Sequence, residues 1–178
     1  MQPTIYLGHG ASGDATSMQP FVDGLRARGL GAEAVDLPKR KAEEVVSVWR
    51  AAVPDGPGIA VGGHSFGGRV ASLAAAEPDT TYEALVLFSY PLHPPGKPEN
   101  TPARIAHWPN IRCPVLLLSG EADPFAQIRL LREGVKLLPN AQLVTWPGLG
   151  HGVKPVLGEA LDRAAAFLRE VMPATPTA

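Results

Sequence analysis

Short apolar runs alternate along this chain with longer segments in which apolar residues recur every three or four positions. Ile5-Tyr6-Leu7, closed by Gly8, reads as a buried strand. A helix follows over 17–28, with Met18, Phe21, Val22 and Leu25 on one face and Gly29 as its stop. Residues 32–37 form a second predicted strand, closed by Pro38, and Val45, Val48, Trp49 and Ala52 mark a second helix. A small apolar strand is expected over 58–62. Phe66, Val70, Leu73 and Ala74 line the helix after it, which stops before Pro78. Further strands are expected over 84–88, 115–118 and 142–146. Ile128, Leu131, Val135 and Leu138 give one more helix, and Leu157, Leu161, Ala164, Leu168 and Val171 the last.

Strand and helix thus take turns, the signature of an α/β fold with a mostly parallel sheet covered by helices on both faces, a three-layer sandwich. Strands that are apolar throughout suit a sheet buried on both sides. One long stretch, 90–111, lacks a period. Its six prolines (Pro91, Pro94, Pro95, Pro98, Pro102 and Pro109) forbid a regular strand or a long helix. It reads either as a functional rim or as a surface loop wrapping an edge.

With 178 residues the chain has the size of one domain, expected over 1–172, with a flexible tail over 173–178. A net charge of -1 gives no field to recruit nucleic acid or an anionic membrane. The single cysteine, Cys113, excludes an internal disulfide and a cysteine-based zinc site, and its place before Pro114 and a buried strand suggests packing. The first residues lack a basic patch followed by a long apolar run, so a cytoplasmic protein is expected. No phosphate loop, metal-ligand cluster or dinucleotide fingerprint is present, and no cofactor or metal is expected. Lys39-Arg40-Lys41 reads as a solvated helix start.

In parallel sheets ligands meet the carboxyl ends of the strands, so the residues after each strand carry the chemistry. The third strand runs into Gly62-Gly63-His64-Ser65-Phe66-Gly67-Gly68, a Gly-x-Ser-x-Gly pattern. A serine on a tight strand-to-helix turn needs small flanking residues, projects upward, and sits beside helix N-terminal amides. Ser65 is therefore the candidate nucleophile, and a hydroxyl needs a base to take its proton. Of five histidines, His151 lies in a glycine-rich loop after the sixth strand, able to bend back over the elbow, and His93 is its rival. His64 is expected to point away by strand-like alternation. The base needs a carboxylate, and Asp123 follows the fifth strand at a turn before Pro124. Asp123 also suits a helix N-cap, and Glu121 is a possible substitute. Oxyanion donors are expected from the amides of Phe66, after the nucleophile, and Ala11, in His9-Gly10-Ala11-Ser12-Gly13, although that glycine turn also has a purely structural reading. Ser12, Met18, Tyr90, Leu92, His93, Phe125 and Val153 are the expected substrate-binding rim.

These motifs resemble those of the α/β-hydrolase superfamily from His9-Gly10 through the elbow and Gly120-Glu121-Ala122-Asp123-Pro124 to Gly150-His151-Gly152, in its chain order of nucleophile, acid and histidine. Tyr90-Pro91-Leu92-His93-Pro94-Pro95-Gly96-Lys97-Pro98 resembles a segment of a small subgroup of bacterial hydrolase-like and testis-expressed-30-type proteins, which includes a subunit of a chromatin acetyltransferase complex. Dienelactone-hydrolase-like proteins are more distantly similar. Against the superfamily pattern this chain lacks the first two strands and the helical cap. The resemblance therefore implies a minimal fold of six parallel strands, the second at an edge, and an open site.

The expected activity is hydrolysis of a small ester or thioester through an acyl-enzyme at Ser65. The alternatives are a non-catalytic protein-interaction module, as the chromatin relative suggests, and acyl transfer to an acceptor other than water. Neither nucleic acid nor membrane is expected as a partner. The exposed edge near 32–37 leaves monomer and homodimer open.

Overall fold

A computed structural model describes residues 3–173. The tail expected over 173–178 lies, apart from Pro173, outside the described residues. The strands are β1 (Thr4–Gly8), β2 (Gly31–Val35), β3 (Ile59–His64), β4 (Ala84–Phe88), β5 (Val115–Gly120) and β6 (Ala141–Trp146). They form one sheet in the order β2-β1-β3-β4-β5-β6, with every neighbouring pair parallel. As expected, the second strand is an edge; β6 is the other. The helices are α1 (Gln19–Arg26), α2 (Ala42–Ala52), α3 (Phe66–Ala75), α4 (Thr101–Ile105), α5 (Ile128–Gly134) and α6 (Leu157–Val171).

The sheet separates two cores. On one face Ile5, Leu7, Ala60, Val86, Phe88, Leu116 and Leu118 pack against α1 and α6 through Phe21, Leu25, Leu161 and Leu168. On the other, Val61, Leu85, Leu87, Val115 and Leu117 meet Val45 and Trp49 of α2, Val70 and Ala74 of α3, and Leu131 of α5. β4 and β5 are buried at every position, which explains why both read as continuous apolar runs.

The Pro-rich stretch is the main correction to the pattern reading. It contains α4, flanked by 3-10 turns at Pro98–Asn100 and Trp108–Asn110. A proline falls within the first two positions of each of these three elements, where its missing N–H costs nothing. Rather than forming a rim or a loose loop, the stretch completes a core. Tyr90, Leu92, Ile105, Trp108 and Ile111 are all buried there, and Tyr90 meets Trp108 edge-on at 5.1 Å. The Tyr90 hydroxyl donates to the Arg104 carbonyl at 3.1 Å. Arg69 of α3 donates to the same carbonyl at 3.0 Å and pairs with Glu43 of α2.

His107 lies under this clasp, with Nε2 2.9 Å from the Ser72 hydroxyl. Burial first, and the Arg69 guanidinium second, push its imidazole down to about 4. In the unfolded chain the ordinary value is near 6.5, so between those two values the unfolded state binds more protons. The stabilising contribution is therefore complete above pH 6.5 and is lost as pH falls toward 4, by about 3 kcal/mol. His107→Gln is expected to flatten this part of the stability profile, measured by urea unfolding between pH 7 and pH 4. Parallel losses in the two proteins would contradict it. Cys113 has its thiol pushed up to about 12 by burial, in keeping with a packing role.

Candidate active site

The site is assembled where β3 turns into α3. Ser65 takes φ 50 and ψ -114, one of two non-glycine residues at positive φ among those described. That conformation is disfavoured for a side chain with a Cβ, and the surroundings hold it. The Ser65 amide donates to the Phe88 carbonyl at 2.9 Å, and its carbonyl accepts from Arg69 at 3.0 Å. Gly67 lies flat against the Gly8 backbone of β1, so the turn closes only because position 67 has no Cβ.

Two loops bring the partners. Asp123 follows β5 and is fully buried at its side chain. Its Oδ1 accepts the Phe125 amide at 2.8 Å, an Asx turn that fixes the carboxylate. His151 Nδ1 lies 2.8 Å from Asp123 Oδ2 and 3.0 Å from Oδ1. An ionised carboxylate can only accept, so the proton of this contact belongs to Nδ1, and in the neutral imidazole Nε2 is then the acceptor. His151 Nε2 lies 2.8 Å from Ser65 Oγ. The two loops are tied together: Ala122 donates to the Leu149 carbonyl at 2.9 Å, and Glu121 to the Trp146 carbonyl at 3.0 Å. Gly120 lies against the Leu149 and Gly150 carbonyls, an approach no side chain permits. Phe125 covers the imidazole, with ring centroids 4.3 Å apart. Glu121, the possible substitute acid, is turned to Arg132 and Thr145.

Around this group opens a cavity of about 460 Å³. Ala11, Ser12, Met18, Phe125 and Val153, all expected at the site, line it with Ser65 and His151. Tyr90, Leu92 and His93 do not. Tyr90 and Leu92 belong to the core on the α3 side of the sheet. His93 is buried, its Nε2 accepting the Gln127 amide at 3.2 Å and its Nδ1 2.8 Å from the Pro94 carbonyl, so it does not compete as the base.

His64 is a further correction, because its ring lines the cavity instead of pointing away. Strand alternation does not extend into the elbow. Its Nε2 sits 3.3 Å from the His151 carbonyl, and its ring centroid is 5.6 Å from that of His151. Burial is the first cause lowering its pKa, which favours the neutral ring. Ser17, Phe21 and Lys154 also line the cavity and belong to none of the motifs. Phe21 had a signal, since it follows Met18 by one helical turn.

Phe66 is the first residue of α3, so its amide has no intrahelical acceptor. Ala11 sits inside the turn closed by the Gly13 amide on the Gly10 carbonyl. Among the described residues no three His, Cys, Asp or Glu side chains converge as a metal site, and no helix is long and apolar enough to cross a membrane.

Several solved structures share this fold. A monoacylglycerol lipase of Paleococcus ferrophilus superposes with a TM-score of 0.78 at 18% identity, covering 94% of each chain. Est1E of Butyrivibrio proteoclasticus, solved with ferulic acid bound, gives 0.77 at 21% identity over 95% of this chain and 89% of that one. A Thermogutta terrifontis esterase, Est2, with propionate bound, gives 0.76 at 20% identity over 99% and 86%. In sequence, 68 residues are 40% identical to the polyketide synthase ThaQ of Burkholderia thailandensis, covering 38% of this chain and 3% of that protein's length. The family model described as the alpha/beta hydrolase domain matches residues 2–172, and the chain belongs to that family.

Proposed function

We propose that the protein is a serine hydrolase of small carboxylic esters or thioesters. The observation that carries this reading is the unbroken chain of contacts from Ser65 Oγ to His151 Nε2 and from His151 Nδ1 to Asp123. Ser65 Oγ attacks the carbonyl carbon as His151 Nε2 takes its proton, and the carbonyl π electrons move onto oxygen. The amides of Phe66 and Ala11 hold that oxyanion. Its collapse breaks the bond to the leaving oxygen or sulfur, which receives the proton from His151. Water then repeats the sequence on the acyl-serine, releasing the acid and restoring Ser65. The apolar wall of Met18, Phe21, Phe125 and Val153 suits a short acyl group.

Two features support catalysis over an idle scaffold. Ser65 holds its disfavoured φ with its hydroxyl on His151, and a buried carboxylate is aimed at the far side of that same imidazole, an alignment a scaffold has no use for. A fluorophosphonate probe is expected to label Ser65 in the wild type; a folded protein that stays unlabelled would contradict the proposal. Asp123→Asn is expected to lower kcat about 10^3- to 10^4-fold with little change in KM, because the amide favours the wrong imidazole tautomer. Steady-state turnover of p-nitrophenyl butyrate measures it.

A further inference from the structure

Lys154 is the one lysine, arginine or carboxylate side chain lining the cavity. Among the described residues its ammonium makes no ion pair or hydrogen bond. No carboxylate among the described residues pairs with it, and several are engaged with other partners. Asp123 is committed to His151, Asp14 accepts the Ser17 amide, and Asp36 accepts the Ala15 amide and lies 3.4 Å from His9. On α6, Asp162 pairs with Arg28, and Glu159 lies 3.8 Å from Arg163. The backbone at Lys154 is nevertheless well placed. Val153 before it is buried, Pro155 after it limits the chain, and the Val156 amide closes a turn on the Val153 carbonyl at 2.9 Å. A single solvent-exposed cation therefore stands at the edge of a cavity whose other walls are mostly apolar.

His151 must hand its proton to the leaving atom, so the leaving group lies on the His151 side. Lys154 lines the same cavity, and its charge acts on His64, whose ring centroid is 5.6 Å from that of His151. We propose that the natural substrate is an ester or thioester whose leaving alcohol or thiol carries an anionic group, carboxylate or phosphate, received by Lys154 Nζ. The inference rests on the hydrolase reading above and specifies its substrate class.

The test compares 4-acetoxybenzoate with 4-acetoxybenzamide, an anionic and a neutral ester of nearly the same shape, and reads the ratio of their kcat/KM values. 4-Acetoxyphenyl phosphate run beside them distinguishes phosphate from carboxylate by which is cleaved more efficiently. The wild type is expected to favour the anionic ester. Lys154→Ala is expected to lower that ratio about fivefold at low ionic strength, Lys154→Arg to keep it, and 1 M salt to erase it. Cleavage of both esters with a ratio unmoved by Lys154→Ala overturns this inference alone. So does failure to cleave the anionic ester while a fluorophosphonate still labels Ser65. A protein that cleaves none of these esters and leaves Ser65 unlabelled overturns the hydrolase reading as well.

Discussion

Ser65→Ala is expected to lower kcat for p-nitrophenyl butyrate by about 10^5- to 10^6-fold, the scale of losing a nucleophile whose partners act only through it. The fold should be nearly unchanged. The Ser65 hydroxyl meets only His151 Nε2, and the bonds that hold the turn, to Phe88 and from Arg69, are made by the backbone. Thermal unfolding of the variant within a few degrees of the wild type, with turnover at background, is the predicted pair of results. Turnover that survives the substitution would move the chemistry elsewhere in the cavity.

Gly67→Ala, with Gly120→Ala, should have one of the largest effects on stability of any single added methyl group at the site. Its Cβ would overlap the Gly8 carbonyl and Cα, backbone atoms of β1 that cannot rotate away. Relief requires α3 to move off the sheet, and the expected cost is about 3 kcal/mol or more. Because Phe66 and Ser65 open the same helix, the displacement should also lower kcat at least tenfold in whatever protein remains folded. Gly158→Ala is the contrast. It lies in the first turn of α6 with open space around its Cα, and should be neutral or stabilising by about 0.5 to 1 kcal/mol. Chemical denaturation of the three proteins side by side checks both signs; equal stabilities for Gly67→Ala and wild type would contradict the packing account.

The alternation of apolar runs and helical periods carried the architecture because each signal is local. β4 and β5, buried on both faces, have no polar position to confuse the reading, and α6 presents an uninterrupted apolar stripe ending in Val171. The elbow was legible for a similar reason: the glycines beside Ser65 serve contacts with β1 and β3 that depend on the absence of a Cβ. Asp123 and His151 were found from their places after β5 and β6, but the Asx turn and the stitching of their loops depend on three-dimensional closure. The failures have physical causes too. The sequence puts Tyr90, Leu92 and His93 at the rim because prolines conceal burial, whereas Tyr90 and Leu92 share a core with Ile105 and Trp108 of the short proline-bearing turns, and His93 is buried against Gln127. His64 was turned the wrong way because period-two alternation ends where Ser65 adopts positive φ. Lys154 has no motif at all; only its place among the cavity-lining residues, with no ion pair among the described residues, makes it informative.

The covalent intermediate is the most direct test of the central claim. The protein should be mixed with p-nitrophenyl butyrate, quenched in acid during turnover, and weighed intact and after proteolysis by mass spectrometry. The prediction is an added mass of one butyryl group, confined to the peptide containing Ser65, absent in Ser65→Ala and accumulating when His151 is replaced only to the extent that acylation still occurs. Turnover with no acyl adduct, or an adduct on any other residue, would contradict it.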